Sequence, residues 1–169
     1  MADARSDGFA LFLFGSVRLT FGGAALARPP GNQAKALSLL VLNGGCMNRE
    51  KLVERLWPDA PVSAGRHQLR SLLAKLRTST GLSIQRQDDL VVLDPPVWCD
   101  IEQFVVLASR AVSGVDGPEA SRRLGLEAQA LWTGPPLETW RYEDWAIRVR
   151  GRVFALQERL WALLDQHTG

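Results

Sequence analysis

The sequence predicts an α+β chain: an N-terminal antiparallel sheet, three helices, a β-hairpin, then a part built from helices alone. Three observations predict it. Short apolar runs separated by glycine pairs fill the first thirty residues. Apolar residues recur with helical spacing from Gln33 to Thr80. Beyond Pro95-Pro96 the pattern is helical throughout. With 169 residues, 46% hydrophobic and 22% charged, the chain can bury the core of one domain or two small ones. No apolar run reaches the roughly 20 residues that span a bilayer. The apolar stretch after Gly8 ends at Gly15, too short for an anchor or signal peptide. A cytoplasmic protein without membrane contact is expected.

Each element has a local cause. Phe9–Phe14 is an apolar run turned by Gly15-Ser16, and Val17–Phe21 alternates before Gly22-Gly23 turns it again. Ala24–Arg28 is read as a third strand, closed by Pro29-Pro30-Gly31. Asn32 is placed to cap a helix over Gln33–Leu42, ended by Asn43-Gly44-Gly45. Cys46-Met47 reads as a link, and Asn48 caps a helix carrying Leu52, Val53, Leu56 and Trp57 that Pro58 stops. Ser63 is taken as the N-cap of a third helix reaching about Thr80, with Gly81 beyond. Ser83–Arg86 and Leu90–Leu93 flank Gln87-Asp88-Asp89 as a hairpin. Strands, three helices and a hairpin are the order of a winged helix.

In the remainder, Asp100 with Gln103 reads as a capping box for a helix through Val112, with Ile101, Phe104, Val105, Ala108 and Val112 on one face. Pro118 starts the next helix, which ends at Trp132-Thr133-Gly134. A last helix from about Trp140 to Gln166 places Tyr142, Ala146, Val149, Val153, Leu156, Leu160 and Leu163 on a heptad-like stripe. The expected domains are 9–96 and 97–169.

Net charge is only +2, but residues 1–98 carry twelve Lys/Arg against eight Asp/Glu, and the rest eight against ten. Ser63–Gly81 holds Arg66, Arg70, Lys75 and Arg77 with no acid, the footprint of a DNA-binding helix or of an ordinary solvated face. At about 100° per residue, Leu69, Leu72, Leu73 and Leu76 share one buried arc. His67, Ser71, Ala74 and Thr78 lie opposite. Arg66, Arg70 and Arg77 line one shoulder; Lys75 and Gln68 line the other. A slim polar ridge between cations suits a major groove. His67, Arg70 and Ser71 are assigned to base edges, and Arg66, Lys75 and Arg77 to phosphates. Arg86 is the cation of the hairpin wing, whose tip carries the phosphate-repelling Asp88 and Asp89.

No catalytic constellation can be assembled, so an enzyme is not expected. His67 and His167 are the only histidines, and His167 reads as frayed tail. Cys46 and Cys99 form no disulfide framework and, with the histidines, lack zinc-ligand spacing; both are expected to be buried. Gly22-Gly23 and Gly44-Gly45 lack the Lys-Ser/Thr of a phosphate loop. No cofactor and no metal are expected. Trp57, Trp140, Trp145 and Trp161 sit at helical apolar positions and are assigned to core.

The run Leu52-Val53-Glu54-Arg55-Leu56-Trp57-Pro58-Asp59, with Leu69-Arg70 and Leu76-Arg77 after it, resembles the OmpR-type winged-helix DNA-binding domain of the Streptomyces antibiotic regulatory protein family. Downstream, Asp100 with Phe104 and Ala130-Leu131-Trp132-Thr133-Gly134-Pro135-Pro136-Leu137 resemble the opening of that family's bacterial transcriptional activator domain. The similarity covers about residues 9–165. It implies an activator that binds direct repeats in double-stranded promoter DNA, as a homodimer on those repeats, and recruits RNA polymerase, here for a biosynthetic gene cluster. It also implies that the helical part is tetratricopeptide-like. The connector Pro58, Asp59, Ala60, Pro61 and Val62 matches the segment that faces polymerase. Two departures stand out: Asp89-Leu90 replaces a Gly-Tyr-like pair in the wing, and the activator domain has about half its usual length, as in a minimal member or a piece of a longer protein. The rival reading is a winged-helix adaptor that binds a protein partner and has lost DNA binding.

Overall fold

The computed structural model describes residues 8–165. Contacts divide the chain into two units. One holds the described residues up to Leu11 with Arg18–Trp98; the other holds Phe12–Val17 with the described residues from Cys99 onward. Residues 12–17, expected in the first domain, thus pack with the second unit.

The first unit opens with β1 (Phe9–Phe12), β2 (Arg18–Phe21) and β3 (Ala24–Ala25), with β2 between the other two. Phe21 lies opposite Ala24, and the Phe9 and Phe21 rings stand 4.7 Å apart. Helix α1 (Gly31–Leu42) is buried at every position from Ala34 to Val41, so it is the centre of this unit. Its N-cap is Pro30, in extended conformation. Asn32, expected to cap it, lies within the first turn.

Cys46-Met47 is not a link. With Asn48 these residues form β4 (Cys46–Asn48), antiparallel to β6 (Leu90–Leu93), while β5 (Ile84–Gln87) pairs with the other edge of β6. A three-residue strand is too short for alternation to show. Cys46 is exposed on β4, against the expectation of burial. Asn48 then starts α2 (Arg49–Leu56) as expected, its Oδ1 accepting from the backbone N–H groups of Glu50 and Lys51 at 2.9 and 3.2 Å. Helix α3 (Val62–Thr80) is capped by Pro61 rather than Ser63, and Val62, assigned to the connector, is its first residue. A proline with its φ already set and no N–H to satisfy is well suited to a helix boundary. Leu69, Leu72, Leu73 and Leu76 are buried as the periodicity requires, and Gly81 closes the helix in the left-handed region. The hairpin turns at Asp88-Asp89, with Asp88 at φ 52°, a conformation that Asp tolerates better than most residues.

The chain passes to the second unit at β7 (Trp98–Cys99), which the sequence reading did not separate from its surroundings. Helices α4 (Asp100–Ser113), α5 (Pro118–Leu131) and α6 (Asp144–Asp165) pack on one another, with a 3-10 turn over Glu138–Trp140. The expected capping box does not form: Cys99 is the N-cap of α4, and Asp100 is its first residue, 1% exposed. The Asp100 carboxylate instead accepts the backbone N–H groups of Leu13 and Phe14 at 2.8 and 3.1 Å. Gly15 N–H donates to the Pro135 carbonyl and Leu137 N–H to that of Leu13, both at 2.9 Å. These bonds hold residues 12–17 to the second unit. Phe14, Phe104, Trp132 and Phe154 form a chain of ring contacts that runs from the buried Phe14 and Phe104 out to the exposed Phe154.

The inward face of α4 is Ile101, Phe104, Leu107, Ala108 and Ala111; Val105 and Val112 are only half-buried. Pro118 is the first residue of α5 as expected. Helix α6 begins at Asp144, because the 3-10 turn takes up Trp140, and Tyr142 is 81% exposed outside it. Ala146, Val153 and Leu160 are buried, but Trp161 faces outward. Trp140 and Trp145 are buried in ring contact at 5.5 Å. Gln166 and His167 lie outside the described residues. Among the described residues no helix is long and apolar enough to cross a membrane.

Candidate nucleic-acid interface

Burying four leucines on one side of α3 fixes which residues the other side offers. Arg66, His67, Arg70, Ser71, Ala74, Lys75 and Thr78 are all exposed. The helix is 19 residues long and has no acid in its first turn. Its outward surface therefore carries cations with hydrogen-bonding groups between them, and the two shoulders differ in what stands beside each.

On one shoulder, α3 and the hairpin enclose a cavity of about 210 Å³ whose rim holds Arg49, Arg66, Arg70 and Arg86 over a floor of Leu69, Leu73 and Val91. Arg66 and Arg70 are one turn apart on α3 and project to the same side. Arg86 comes from β5, and Arg49 from the first position of α2. On the other shoulder, His67, Ser71 and Lys75 line a second concavity of about 360 Å³ with Trp57 and the start of α1 at Asn32 and Gln33. The residues singled out in the sequence are thus sorted between the two sides of the helix: Arg66, Arg70 and Arg86 on one, His67, Ser71 and Lys75 on the other.

Arg77, expected at a phosphate, also makes an internal bond. It is half-buried, and its Nε donates to the Ile84 carbonyl at 2.7 Å, which ties the end of α3 to the start of the hairpin. Arg49 is the residue sequence reasoning missed. Its neighbour Asn48 faces Leu90 across the β4–β6 pair, and this register brings Arg49 beside Asp89. The Arg49 N–H donates to the Asp89 carbonyl at 2.7 Å, and its Nη2 reaches the Asp89 carboxylate at 3.1 Å. One of the two acids at the wing tip is therefore ion-paired, which the sequence alone gave no means to see.

Between α2 and the connector that leads to α3 lies a groove of about 470 Å³. Val53, Trp57, Pro58, Ala60 and Val62 give it an apolar lining, and Glu50 and Glu54 stand at its edge. Asp59 and Pro61 are exposed beside it. Among the described residues no group of three His, Cys, Asp or Glu side chains is placed to hold a metal ion.

No family model matches the sequence, and no curated protein matches it. Among solved structures, the chain is similar to Mycobacterium tuberculosis EmbR in complex with a low affinity phosphopeptide, with a TM-score of 0.67 and 23% identity. The likeness covers 92% of this chain but 43% of that one, so the chain spans less than half the length of this neighbour. At such an identity the match speaks for the fold: a mixed α+β arrangement that supports the winged-helix reading of the first unit.

Proposed function

We propose that this protein is a DNA-binding transcriptional regulator of the Streptomyces antibiotic regulatory type, non-enzymatic, with α3 as its reading helix. The observation that carries this reading is the acid-free outward surface of α3, with cations on both shoulders of a polar ridge. The likeness in fold to EmbR supports it. In the proposed complex, Arg66, Arg86, Arg49 and Lys75 meet phosphates and set position. His67, Arg70 and Ser71 meet base edges, with the Arg70 fork suited to guanine. The protein activates transcription from direct repeats in promoters, with two copies on the repeats. The connector and the groove beside it face RNA polymerase. The second unit is a short, tetratricopeptide-like activator domain.

Selection of duplexes from a randomised pool, followed by gel shifts across a salt series, tests the reading. A preferred sequence should emerge, with affinity falling steeply as salt rises because phosphate contacts release counterions. Arg70→Ala should cost about 1–3 kcal/mol on that sequence and relax preference at one position. An equal loss on scrambled DNA would move Arg70 to the phosphates. Recovery of no preferred duplex would favour the adaptor reading, for which Tyr142 and Trp161 supply exposed aromatic surface.

A further inference from the structure

Two of the four guanidiniums around the cavity between α3 and the hairpin already hold carboxylates of the same chain. Arg49 Nη2 is 3.1 Å from Asp89 Oδ1, and Arg66 is paired with Glu50. Arg70 and Arg86 take part in none of the ion pairs found among the described residues. The pairing of Arg49 is incomplete: its Nε is buried and has no hydrogen-bond partner. A buried donor of this kind is costly to leave unmet, more so on a charged group. An oxyanion entering the cavity would meet Arg86 and the guanidinium of Arg49, and the apolar floor would strengthen the attraction by excluding water.

We propose that this cavity is an oxyanion seat for a phosphodiester, and that Asp89 and Glu50 are built-in counter-ions that engage two of its four guanidiniums in the free protein. The proposal rests on the DNA-binding reading for the source of the phosphodiester. A carboxylate on a guanidinium makes the same charge-assisted hydrogen bonds that a phosphate oxygen makes. The two acids therefore compete with the ligand for the same donors. The Asp89 side chain is 74% exposed, so solvent reaches its end of the pair and a ligand can replace it. The acidic wing tip is then an autoinhibitory element that holds down affinity for polyanions at large. This also distinguishes the two tip acids. Asp89 acts through Arg49, whereas Asp88, in the same turn, takes part in none of the ion pairs found.

The full chain and its Asp89→Asn, Glu50→Gln and Asp88→Asn variants are titrated with a random-sequence duplex at low salt, by fluorescence anisotropy, and separately with inorganic phosphate. Asp89→Asn and Glu50→Gln should each tighten duplex binding by about three- to ten-fold, and Asp88→Asn by less than about two-fold. The gain from Asp89→Asn should vanish in an Arg49→Gln background. Equal gains from Asp88→Asn and Asp89→Asn would overturn the proposal, because net charge alone would then account for both. So would an Asp89→Asn variant that binds as wild type. A gain seen with inorganic phosphate and not with the duplex overturns the phosphodiester assignment and gives the seat to a free oxyanion. Failure of the DNA-regulator reading shows elsewhere, as a randomised pool that yields no preferred sequence.

Discussion

A Cβ placed on Gly65 would lie 2.3 Å from Val53 Cγ1, so α3 crosses α2 at a point with no room for a side chain. Gly65 immediately precedes Arg66 and His67, and the close approach fixes where α3 leaves α2. Gly65→Ala should cost about 1–3 kcal/mol by overpacking, read in urea denaturation. Val53→Ala in the same chain should recover part of that loss, because it removes the methyl group that collides. If the double variant is no more stable than Gly65→Ala, the crossing is not what requires glycine here.

Arg77 is expected at a phosphate by periodicity, and its Nε also ties the end of α3 to the hairpin. Its Nε bond to the Ile84 carbonyl is partly buried, so Arg77→Gln should cost about 1–2 kcal/mol of stability. The slope of DNA affinity against salt should stay that of the wild type. For Lys75→Gln the reverse is expected: stability within about 0.5 kcal/mol and a shallower salt slope. A shallower slope for Arg77→Gln would return it to the phosphates.

One carboxylate ties residues 13 and 14 to α4. Asp100 takes the N–H groups of Leu13 and Phe14 while lying within helix α4. Asp100→Ala leaves both buried donors unmet and should cost about 2–5 kcal/mol. Hydrogen exchange gives the more specific readout: protection should fall first at Leu13 and Phe14.

The two cysteines should differ sharply in reactivity. Cys46 is exposed, whereas burial, and then the Asp100 carboxylate beside it, pushes the Cys99 thiol far above its ordinary value. The thiolate is the reacting form. Alkylation of the folded protein at mildly alkaline pH should add one group, at Cys46, and alkylation in urea should add two. Labelling of Cys99 in the folded chain would contradict its burial.

Long, strongly periodic elements were legible in the sequence, and contacts between distant segments were not. The buried arc of α3 follows from the spacing of four leucines, and the Asn48 cap from residue type alone. Asp100 illustrates the limit. Its place before an amphipathic run is that of a cap, but an aspartate can as well satisfy donors 86 and 87 residues away, and local pattern does not tell the two apart. The strand Cys46–Asn48 is defined only by its partner β6. With that pairing went the position of Arg49, and with Arg49 the ion pair that changes the meaning of the acidic wing. Trp161 fails for another reason: an apolar residue at helical spacing is a candidate for the core, but the spacing does not say how wide a face the neighbouring helices cover.

The connector into α3 is where the proposed DNA contact and the proposed activation can be separated most clearly. Pro58, Ala60 and Val62 line a groove with Trp57, while Asp59 and Pro61 stand exposed beside it. Two prolines keep the segment stiff, so little ordering entropy opposes docking of a partner. Val62 is 61% exposed and is the first residue of α3, so Val62→Ser removes little buried apolar surface. Asp59→Ala and Val62→Ser should therefore leave DNA affinity within about two-fold, since exposed changes rarely move stability by more than about 0.5 kcal/mol. Transcription from a promoter carrying the selected sequence should nevertheless fall when purified RNA polymerase is supplied. Measuring occupancy and transcript on the same samples decides the matter. If transcript follows occupancy for every connector variant, the segment sets the angle between α2 and α3 and has no further part in activation.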